Sequence, residues 1–180
     1  MNAKLKALVD VAVSQVGVRE HGGNNLGAEI KEYQRATLLT PAAWPWCAAF
    51  VCWCIREWLI KTPGAPEALG IKEEETIYWR PKTAGAFDFI NWAKRSGLYI
   101  TDEKEQAKAG DLVVFDFSHI GIVADDQLPG KDYIDTIEGN TNGKGERDSV
   151  SGDGVWRKQR KVNLVRAYIR LLKDESPLVA

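Results

Sequence analysis

The chain has 180 residues, 44% of them hydrophobic, which suits one domain built around a single core. Its 24 Lys and Arg residues nearly balance its 25 Asp and Glu residues, and the formal charge is −1. This balance excludes a global positive field of the kind that recruits nucleic acid or an anionic surface. We therefore expect no nucleic-acid partner, and we interpret the basic run at 157–161 as the solvated face of a strand.

Amphipathic patterns predict two helices before residue 40. Apolar residues recur at helical spacing over 3–16, and a second, shorter pattern covers 27–35. Asp10 and Gln15 interrupt the first pattern, so it lacks the continuous apolar run of a signal peptide or a membrane span. We expect synthesis in the cytoplasm without a Sec signal, and no membrane insertion.

A third helix is predicted within 44–60, WPWCAAFVCWCIREWLI, with Pro45 at its first position. It carries all three cysteines, Cys47, Cys52 and Cys54. They form no CxxC pair and have no distant partner, which excludes a disulfide framework. Cys52 and Cys54 point to different helical faces and the chain has only two histidines, so we predict no metal site and no cofactor.

Beyond this helix the pattern changes twice. Residues 61–81 form an irregular insertion rich in Pro, Gly and Glu, and a helix follows over 83–95. After Gly97 the apolar pattern alternates, which predicts strands. The strand-like runs are 98–100, 111–115, 119–124, 133–137, 155–160 and 164–171. Helices followed by antiparallel strands predict an α+β domain, with N-terminal helices packed on an antiparallel sheet of about five to six strands.

Cys47 lies in the first turn of the third helix, where two interpretations are open. The unpaired N–H groups and the positive end of the helix dipole favour a thiolate, which is a nucleophile. Cys47 also begins an apolar stripe at helical spacing that continues through Phe50, Val51 and Cys54, so it could be an ordinary core residue. The choice depends on whether the chain also supplies a base.

His119 is the candidate base, because a cysteine nucleophile needs an imidazole and a third group that orients it. The other histidine, His21, lies in a Gly- and Asn-rich loop, and we interpret it as a solvated loop residue. His119 opens a strand after a predicted hairpin, and Gly121 on the same face leaves space beside the imidazole. A structural role for His119 is the alternative.

Glu138 and Asn140 are the candidates for the third group. They lie two residues apart near the end of a strand, so we expect both side chains on one face, where either could accept from an imidazole N–H. The alternative is a turn built from Gly139, Asn140 and Asn142. In the order Cys, His, Glu/Asn, the three elements favour a thiol hydrolase.

The segments WCAAFVCWC, GDLVVFDFSHIGIV and TIEGNTN closely resemble the CHAP domain (cysteine, histidine-dependent amidohydrolase/peptidase) of the NlpC/P60-like, papain-related superfamily. The resemblance covers roughly residues 15–170 of a single domain at 1–180. It implies Cys47 as nucleophile, His119 as general base and acid, Glu138 as the residue that orients the imidazole, and Asn140 as a supporting polar group. It also implies cleavage of peptidoglycan, as an N-acetylmuramoyl-L-alanine amidase or as a stem or cross-bridge endopeptidase.

The chain departs from CHAP lysins in three places. Residues 40–46 contain no carboxylate, so we do not expect the calcium loop of some phage lysins. Only 173–180 follow the last strand-like stretch, so we expect no separate wall-binding domain. The third departure is the insertion at 61–81. The candidates for contacting a peptide or sugar are Trp46, Tyr78, Trp79 and Arg80, and the alternative for those in the insertion is a surface loop tucked in by its aromatic residues.

We expect a monomeric phage or prophage endolysin that reaches the cell wall or periplasm after holin-type release or secretion. Two alternatives stay open, an interbacterial secreted effector with the same chemistry and a wall-peptide binding module without catalysis. The Cys47 backbone N–H is the expected first oxyanion donor, and the sequence does not identify the second.

Overall fold

The computed structural model describes residues 2–143 and 152–172, in which six α-helices accompany one six-stranded sheet. The helices are α1 (Ala3–Val13), α2 (Ala28–Gln34), α3 (Cys47–Lys61), α4 (Ala65–Ala68), α5 (Thr76–Trp79) and α6 (Asp88–Arg95). The strands are β1 (Tyr99–Thr101), β2 (Leu112–Phe115), β3 (Ile120–Val123), β4 (Tyr133–Thr141), β5 (Gly154–Lys161) and β6 (Val165–Arg170). Short 3₁₀ turns cover Glu73–Glu75 and Val162–Leu164.

The sheet is antiparallel throughout, in the order β1-β6-β2-β3-β4-β5. Helices α1 and α3 pack on β3 and β4, and α6 packs on β1 and β6. A smaller apolar cluster that includes Val113, Phe115 and Tyr168 is buried separately from the main core. The α+β class and the predicted packing of N-terminal helices on an antiparallel sheet are thus confirmed.

Helix α3 is the central helix of the main core, and ten of its fifteen residues are buried. It begins at Cys47, two residues after the position predicted from Pro45. The physical reason lies at Trp46, whose backbone is not helical (φ −120°, ψ 16°) and whose N–H donates to the Asn140 side chain at 3.0 Å. Cys47 is therefore the first helical residue, where backbone N–H groups have no acceptor within the helix.

Strand β4 continues to Thr141, four residues beyond its predicted end, because its last residue pairs with Gly154 of β5. Between Glu138 and Thr141 the register shifts, and Asn140 adopts a left-handed conformation with φ 55°. Such a bulge breaks the alternation of side chains between the two faces of a sheet. The expectation that Glu138 and Asn140 share one face is therefore wrong.

The insertion at 61–81 contains α4, a 3₁₀ turn and α5, so it is less irregular than its composition suggests. Helix α6 begins at Asp88 rather than at Thr83, because Thr83 forms a turn in which its hydroxyl donates to the Asp88 carboxylate at 2.7 Å. Across residues 2–143 and 152–172, no helix combines the length and apolar character needed to cross a membrane.

Candidate active site

Cys47 lies at the start of α3 and lines a cleft of about 540 Å³. Cys47 is 6% exposed, whereas the other two cysteines of the same helix are fully buried. Pro45 lines the cleft beside Cys47, and four other segments of the chain contribute Asn25, Gly85, Phe117 and Asn140. The helix start thus faces a space that a substrate chain can enter.

His119 immediately precedes β3 and is fully buried. Its Nε2 lies 2.8 Å from Glu138 Oε2, and its Nδ1 has no hydrogen-bond partner among the described residues. The ring of Phe117 stacks nearly parallel to the imidazole, with 5.7 Å between centroids and 9° between planes. The imidazole plane is therefore held from one side by Phe117 and along its edge by Glu138, which leaves Nδ1 for Cys47.

The imidazole of His119 is held in its protonated form. Burial alone would lower its pKa, but the charge of Cys47, hydrogen-bonding interaction with Cys47 and the Glu138 carboxylate raise the pKa to about 9. The thiol is close enough to perturb the imidazole without forming a hydrogen bond of good geometry. A thiolate beside an imidazolium is the reactive state of a cysteine nucleophile.

Glu138 is the buried carboxylate behind His119, and Arg160 of β5 is its second partner. Arg160 Nε lies 2.9 Å from Oε1 and Arg160 Nη2 lies 2.6 Å from Oε2, while Thr136 donates to Oε1 at 2.6 Å. Burial raises the pKa of Glu138, but the hydrogen bonds from Arg160 and His119 outweigh it and lower the pKa to about 2. The carboxylate is therefore ionised at any pH at which the domain is expected to work.

Gly121 plays a different part from the one predicted for it. The space beside the glycine is filled, because a Cβ built there would lie 2.7 Å from Glu138 Cγ. A side chain at position 121 would push the Glu138 side chain away from His119. The glycine thus allows β4 to bring its carboxylate to the imidazole on β3.

Asn140 is not a partner of His119. Its Oδ1 accepts from Trp46 N at 3.0 Å, and its Nδ2 donates to Asn25 Oδ1 at 3.0 Å and to Glu20 Oε1 at 3.4 Å. Because Trp46 N–H is a donor, the orientation of the Asn140 amide is set by the backbone. Asn140 therefore fixes the segment that leads into Cys47, whereas Glu138 fixes the imidazole.

Trp46 does not reach the cleft with its side chain. The indole is fully buried, packs on Tyr33 and donates through Nε1 to Glu20 Oε1 at 2.8 Å. It is the wall against which Gly139 packs, since a Cβ at that glycine would lie 2.7 Å from the Trp46 ring. A role for Trp46 in contacting substrate is therefore contradicted by its burial.

The three substrate-binding candidates of the insertion lie outside the Cys47 cleft, around a neighbouring cavity of about 520 Å³. Tyr78 is 85% exposed, and Trp79 packs edge-on against Trp92. The Arg80 guanidinium is occupied by backbone carbonyls, including that of Ala36 at 2.7 Å. One short segment contributes to both spaces, because Thr83 lines the cavity and Gly85, two residues later, lines the cleft.

Neither the second histidine nor the other two cysteines line the Cys47 cleft. His21 is exposed in its loop. Cys52 is fully buried and donates to Thr83 O at 3.4 Å, and burial raises its pKa to about 12. Burial also raises the pKa of Cys54 well above its ordinary value. In residues 2–143 and 152–172 no group of three or more His, Cys, Asp or Glu side chains is close enough to hold a metal ion.

The model of the CHAP domain family matches residues 40–140, more than half of the chain. The chain belongs to the CHAP family. This CHAP domain is accordingly a cysteine- and histidine-dependent amidohydrolase or peptidase of the papain-like superfamily, and CHAP domains act on peptidoglycan. No match was found among curated proteins or among solved structures.

Sequence reasoning missed three residues of the site, Glu20, Asn25 and Arg160, all of which lie outside the matched range. Arg160 was included in a run interpreted as solvated, and it is instead 1% exposed. Arg157, Gln159 and Lys161 are exposed and Lys158 is half-buried, so the interpretation holds for the alternate positions of the run and is wrong at Arg160. The signal for Arg160 in the sequence was indirect: a carboxylate that is buried at Glu138 requires a cation as a partner, but the sequence does not say which one.

Proposed function

We propose that this CHAP domain hydrolyses an amide bond of peptidoglycan, with Cys47 as nucleophile, His119 as general acid and base, and Glu138 as the orienting carboxylate. The observation that carries the proposal is the buried contact of 2.8 Å between His119 and Glu138, which leaves the other imidazole nitrogen for the thiol at the cleft. Nucleophile, base and orienting group are thus arranged in series.

The first half of the reaction is acylation. The Cys47 thiolate attacks the amide carbonyl carbon, and the electron pair of the C=O bond moves to oxygen, where the Cys47 N–H stabilises the negative charge. As the C–N bond breaks, His119 gives its proton from Nδ1 to the leaving amine. The products of this half-reaction are a free amine, a neutral imidazole and a thioester on Cys47.

The second half is hydrolysis of the thioester. Neutral His119 takes a proton from water through Nδ1, and the oxygen of that water attacks the thioester carbonyl. Collapse of the intermediate breaks the C–S bond, releases the carboxylic acid and restores the thiolate and the imidazolium. Glu138 stays ionised in both halves, because Arg160 holds its pKa at about 2.

The cleft and the adjoining cavity together support an extended substrate. We propose that the peptide stem occupies the Cys47 cleft and that Tyr78 and Trp79 contact its continuation, a flanking peptide or sugar. Tyr78 is the more accessible of the two, with 85% of its surface exposed and Lys82 near its ring face. We propose that Arg80 stabilises this region through hydrogen bonds to backbone carbonyls and does not bind substrate.

The bond that is cut is either the one between the sugar and the first stem residue or one within the stem or cross-bridge, which makes the enzyme an amidase or an endopeptidase. We propose the biological setting of a phage or prophage endolysin that acts without a metal. An interbacterial effector with the same chemistry is the alternative setting. A binding module without catalysis is disfavoured by the series of Cys47, His119 and Glu138.

The deciding experiment compares wild type, Cys47→Ala and the matched control Cys52→Ala on purified peptidoglycan. We expect wild type and Cys52→Ala to release fragments and Cys47→Ala to release none while keeping its circular dichroism spectrum. Mass spectrometry of the fragments identifies the bond from the new amino terminus. Clearing by Cys47→Ala at the wild-type rate would overturn the proposal, and wall binding by wild type without fragment release would identify a binding module.

A second experiment addresses the target in the cell. Expression with export to the periplasm should lyse a bacterial host, whereas expression in the cytosol should not, because only the periplasm exposes the enzyme to peptidoglycan. Equal toxicity in both compartments would indicate a different target.

A further inference from the structure

Asn25 is a buried polar residue of the Cys47 cleft for which the mechanism so far has no use. Asn25 lies in the loop between α1 and α2 and is only 6% exposed. It lines the cleft together with Cys47 and Asn140. The loop has no periodic pattern, and nothing in its sequence distinguishes Asn25 from Asn24.

The orientation of the Asn25 amide follows from a chain of hydrogen bonds that begins at the backbone. Trp46 N–H can only donate, so it fixes Oδ1 of Asn140 as the acceptor at 3.0 Å. Asn140 must then present Nδ2 to Asn25, whose Oδ1 accepts at 3.0 Å. The Asn25 NH₂ group consequently points away from Asn140, and no described residue accepts a hydrogen bond from it.

The backbone of Asn25 is held in a sparsely populated conformation. Its φ is 60°, in the left-handed region, and its N–H donates to Glu20 Oε2 at 2.8 Å. Glu20 is in turn fixed by the Trp46 indole, which donates to Oε1 at 2.8 Å. Residues maintained in this region by their surroundings cluster at catalytic and ligand-binding sites.

We propose that Asn25 Nδ2 is the second oxyanion donor, which acts with the Cys47 N–H on the carbonyl oxygen of the substrate. The two donors are linked rigidly, because Asn140 joins Asn25 to the backbone of the residue before Cys47. A donor preorganised in this way loses no orientation energy when the oxyanion forms. The inference rests on the acyl transfer at Cys47 given under the proposed function, but it does not depend on which amide is the natural substrate.

The test compares two reactions of Cys47 that differ only in whether an oxyanion forms. With p-nitrophenyl acetate, Sγ bonds to the carbonyl carbon, the oxygen carries negative charge, and collapse breaks the C–O bond to release p-nitrophenolate. With iodoacetamide, Sγ displaces iodide and no oxyanion arises. The measured rates are the p-nitrophenolate burst and the alkylation of Cys47, each corrected by the rate of Cys47→Ala.

Asn25→Gly and Asn25→Asp are the test variants, and Asn24→Ala is the matched control from the same loop. Glycine suits the positive φ, so the first variant removes the amide without adding backbone strain. Aspartate keeps an oxygen for Asn140 and replaces the NH₂ group with a second carboxylate oxygen, so it decides the question if the glycine variant does not fold, provided that the effect of the added charge is read from its alkylation rate. Asn24 also lines the cleft, but it is exposed and makes none of these hydrogen bonds, so it controls for a change of side chain at the cleft surface.

We expect Asn25→Gly to slow the acylation burst by about 10²-fold, the typical effect of removing one oxyanion donor, with alkylation unchanged. In Asn25→Asp the burst should fall by a similar factor relative to the alkylation rate, which accounts for the effect of the added charge on the thiol. Asn24→Ala should match wild type in both reactions. A wild-type burst in the Asn25 variants would overturn the inference, and so would an equal loss of burst and alkylation, which would mean that Asn25 only positions Cys47. If Cys47→Ala itself keeps the full burst and alkylation, the proposed nucleophile is wrong.

Discussion

Glu138 and Arg160 form a buried ion pair directly behind the His119 imidazole. Arg160 Nη2 lies 2.6 Å from Glu138 Oε2, and neither side chain is more than 1% exposed. The same carboxylate oxygen lies 2.8 Å from His119 Nε2. The Glu138 carboxylate therefore lies between the imidazolium of His119 and the guanidinium of Arg160, in a region with little water to screen these charges.

Replacing Arg160 is expected to destabilise the domain and to slow hydrolysis. Arg160→Met leaves the Glu138 carboxylate without its strongest partner, and loss of one member of a buried pair costs about 3–5 kcal/mol. The matched control is Arg157→Met on the same strand, because Arg157 pairs with Asp125 at the surface and such pairs contribute about 0–1 kcal/mol. Urea unfolding and fragment release from peptidoglycan measure the two effects.

Equal free energies of unfolding for Arg160→Met and Arg157→Met would contradict the buried pair. In a folded sample of Arg160→Met, the pKa of Glu138 should rise, because the guanidinium that lowers it is gone. Carbon-13 NMR of the Glu138 carboxyl group follows this shift directly.

Glu138 and Asn140 should differ in their effect on activity. Glu138→Gln removes the charge that supports the imidazolium, and we expect hydrolysis to fall by about 10²-fold or more, the scale of general acid and base catalysis. Asn140→Ala should reduce hydrolysis less than Glu138→Gln does. It should also lower the free energy of unfolding, since it removes the acceptor of the buried Trp46 N–H. Steady-state hydrolysis and thermal unfolding of both variants provide the comparison, and a larger catalytic loss in Asn140→Ala would contradict the orienting role of Glu138.

The influence of Cys47 should be visible in the titration of His119. The pKa of His119 is raised to about 9 partly by the charge and side chain of Cys47. In Cys47→Ala that contribution disappears while burial still acts to lower it, so the pKa should fall below the wild-type value. NMR titration of the imidazole in both proteins measures the difference, and identical titration curves would show that Cys47 and His119 do not interact.

Stability should depend on pH in two separate windows. The pKa of His119 is raised from 6.5 to about 9, so its contribution to the free energy of unfolding is complete below pH 6.5 and is lost as pH rises through 9. The pKa of Glu138 is lowered from 4.5 to about 2, so its contribution is complete above pH 4.5 and is lost as pH falls towards 2. Urea unfolding across this range should show highest stability between about 4.5 and 6.5.

The alkaline window has its own control. In Cys47→Ala the loss of stability should begin at lower pH than in wild type, because the pKa of His119 is less raised. A wild-type free energy of unfolding that stays constant from pH 6.5 to above 9 would contradict the raised pKa. Hydrolysis should decline over the same alkaline range, since the leaving amine then lacks its proton donor.

Only one of the three cysteines should react with iodoacetamide in the native state. Cys52 and Cys54 are fully buried, and burial raises the pKa of Cys52 to about 12 and raises that of Cys54 well above its ordinary value. Thiols held in this way are inert, whereas Cys47 meets the cleft. Mass spectrometry of peptides after brief alkylation at neutral pH should find the label on Cys47, and label on Cys52 at a similar rate would contradict the assignment.

The sequence by itself determined the class of the fold, the start of the cysteine helix to within two residues and the order of Cys47, His119 and Glu138 along the chain. These features depend on local signals, because hydrophobic periodicity, turn residues and the position of a cysteine in a helix can be read over a few residues. The resemblance to CHAP domains rests on the same short segments, and the family match over 40–140 bears it out.

Only the tertiary structure decided which polar residues meet. The bulge after Glu138 separates its side chain from that of Asn140, and strand pairing brings Arg160 to the carboxylate from 22 positions away. Asn25 is hydrogen-bonded to Asn140, which lies 115 positions later in the chain, and no periodic pattern in the sequence predicts this contact. Burial of charge is a property of packed neighbours rather than of local sequence, which is why a run of basic residues contains one cation that belongs to the site and others that face solvent.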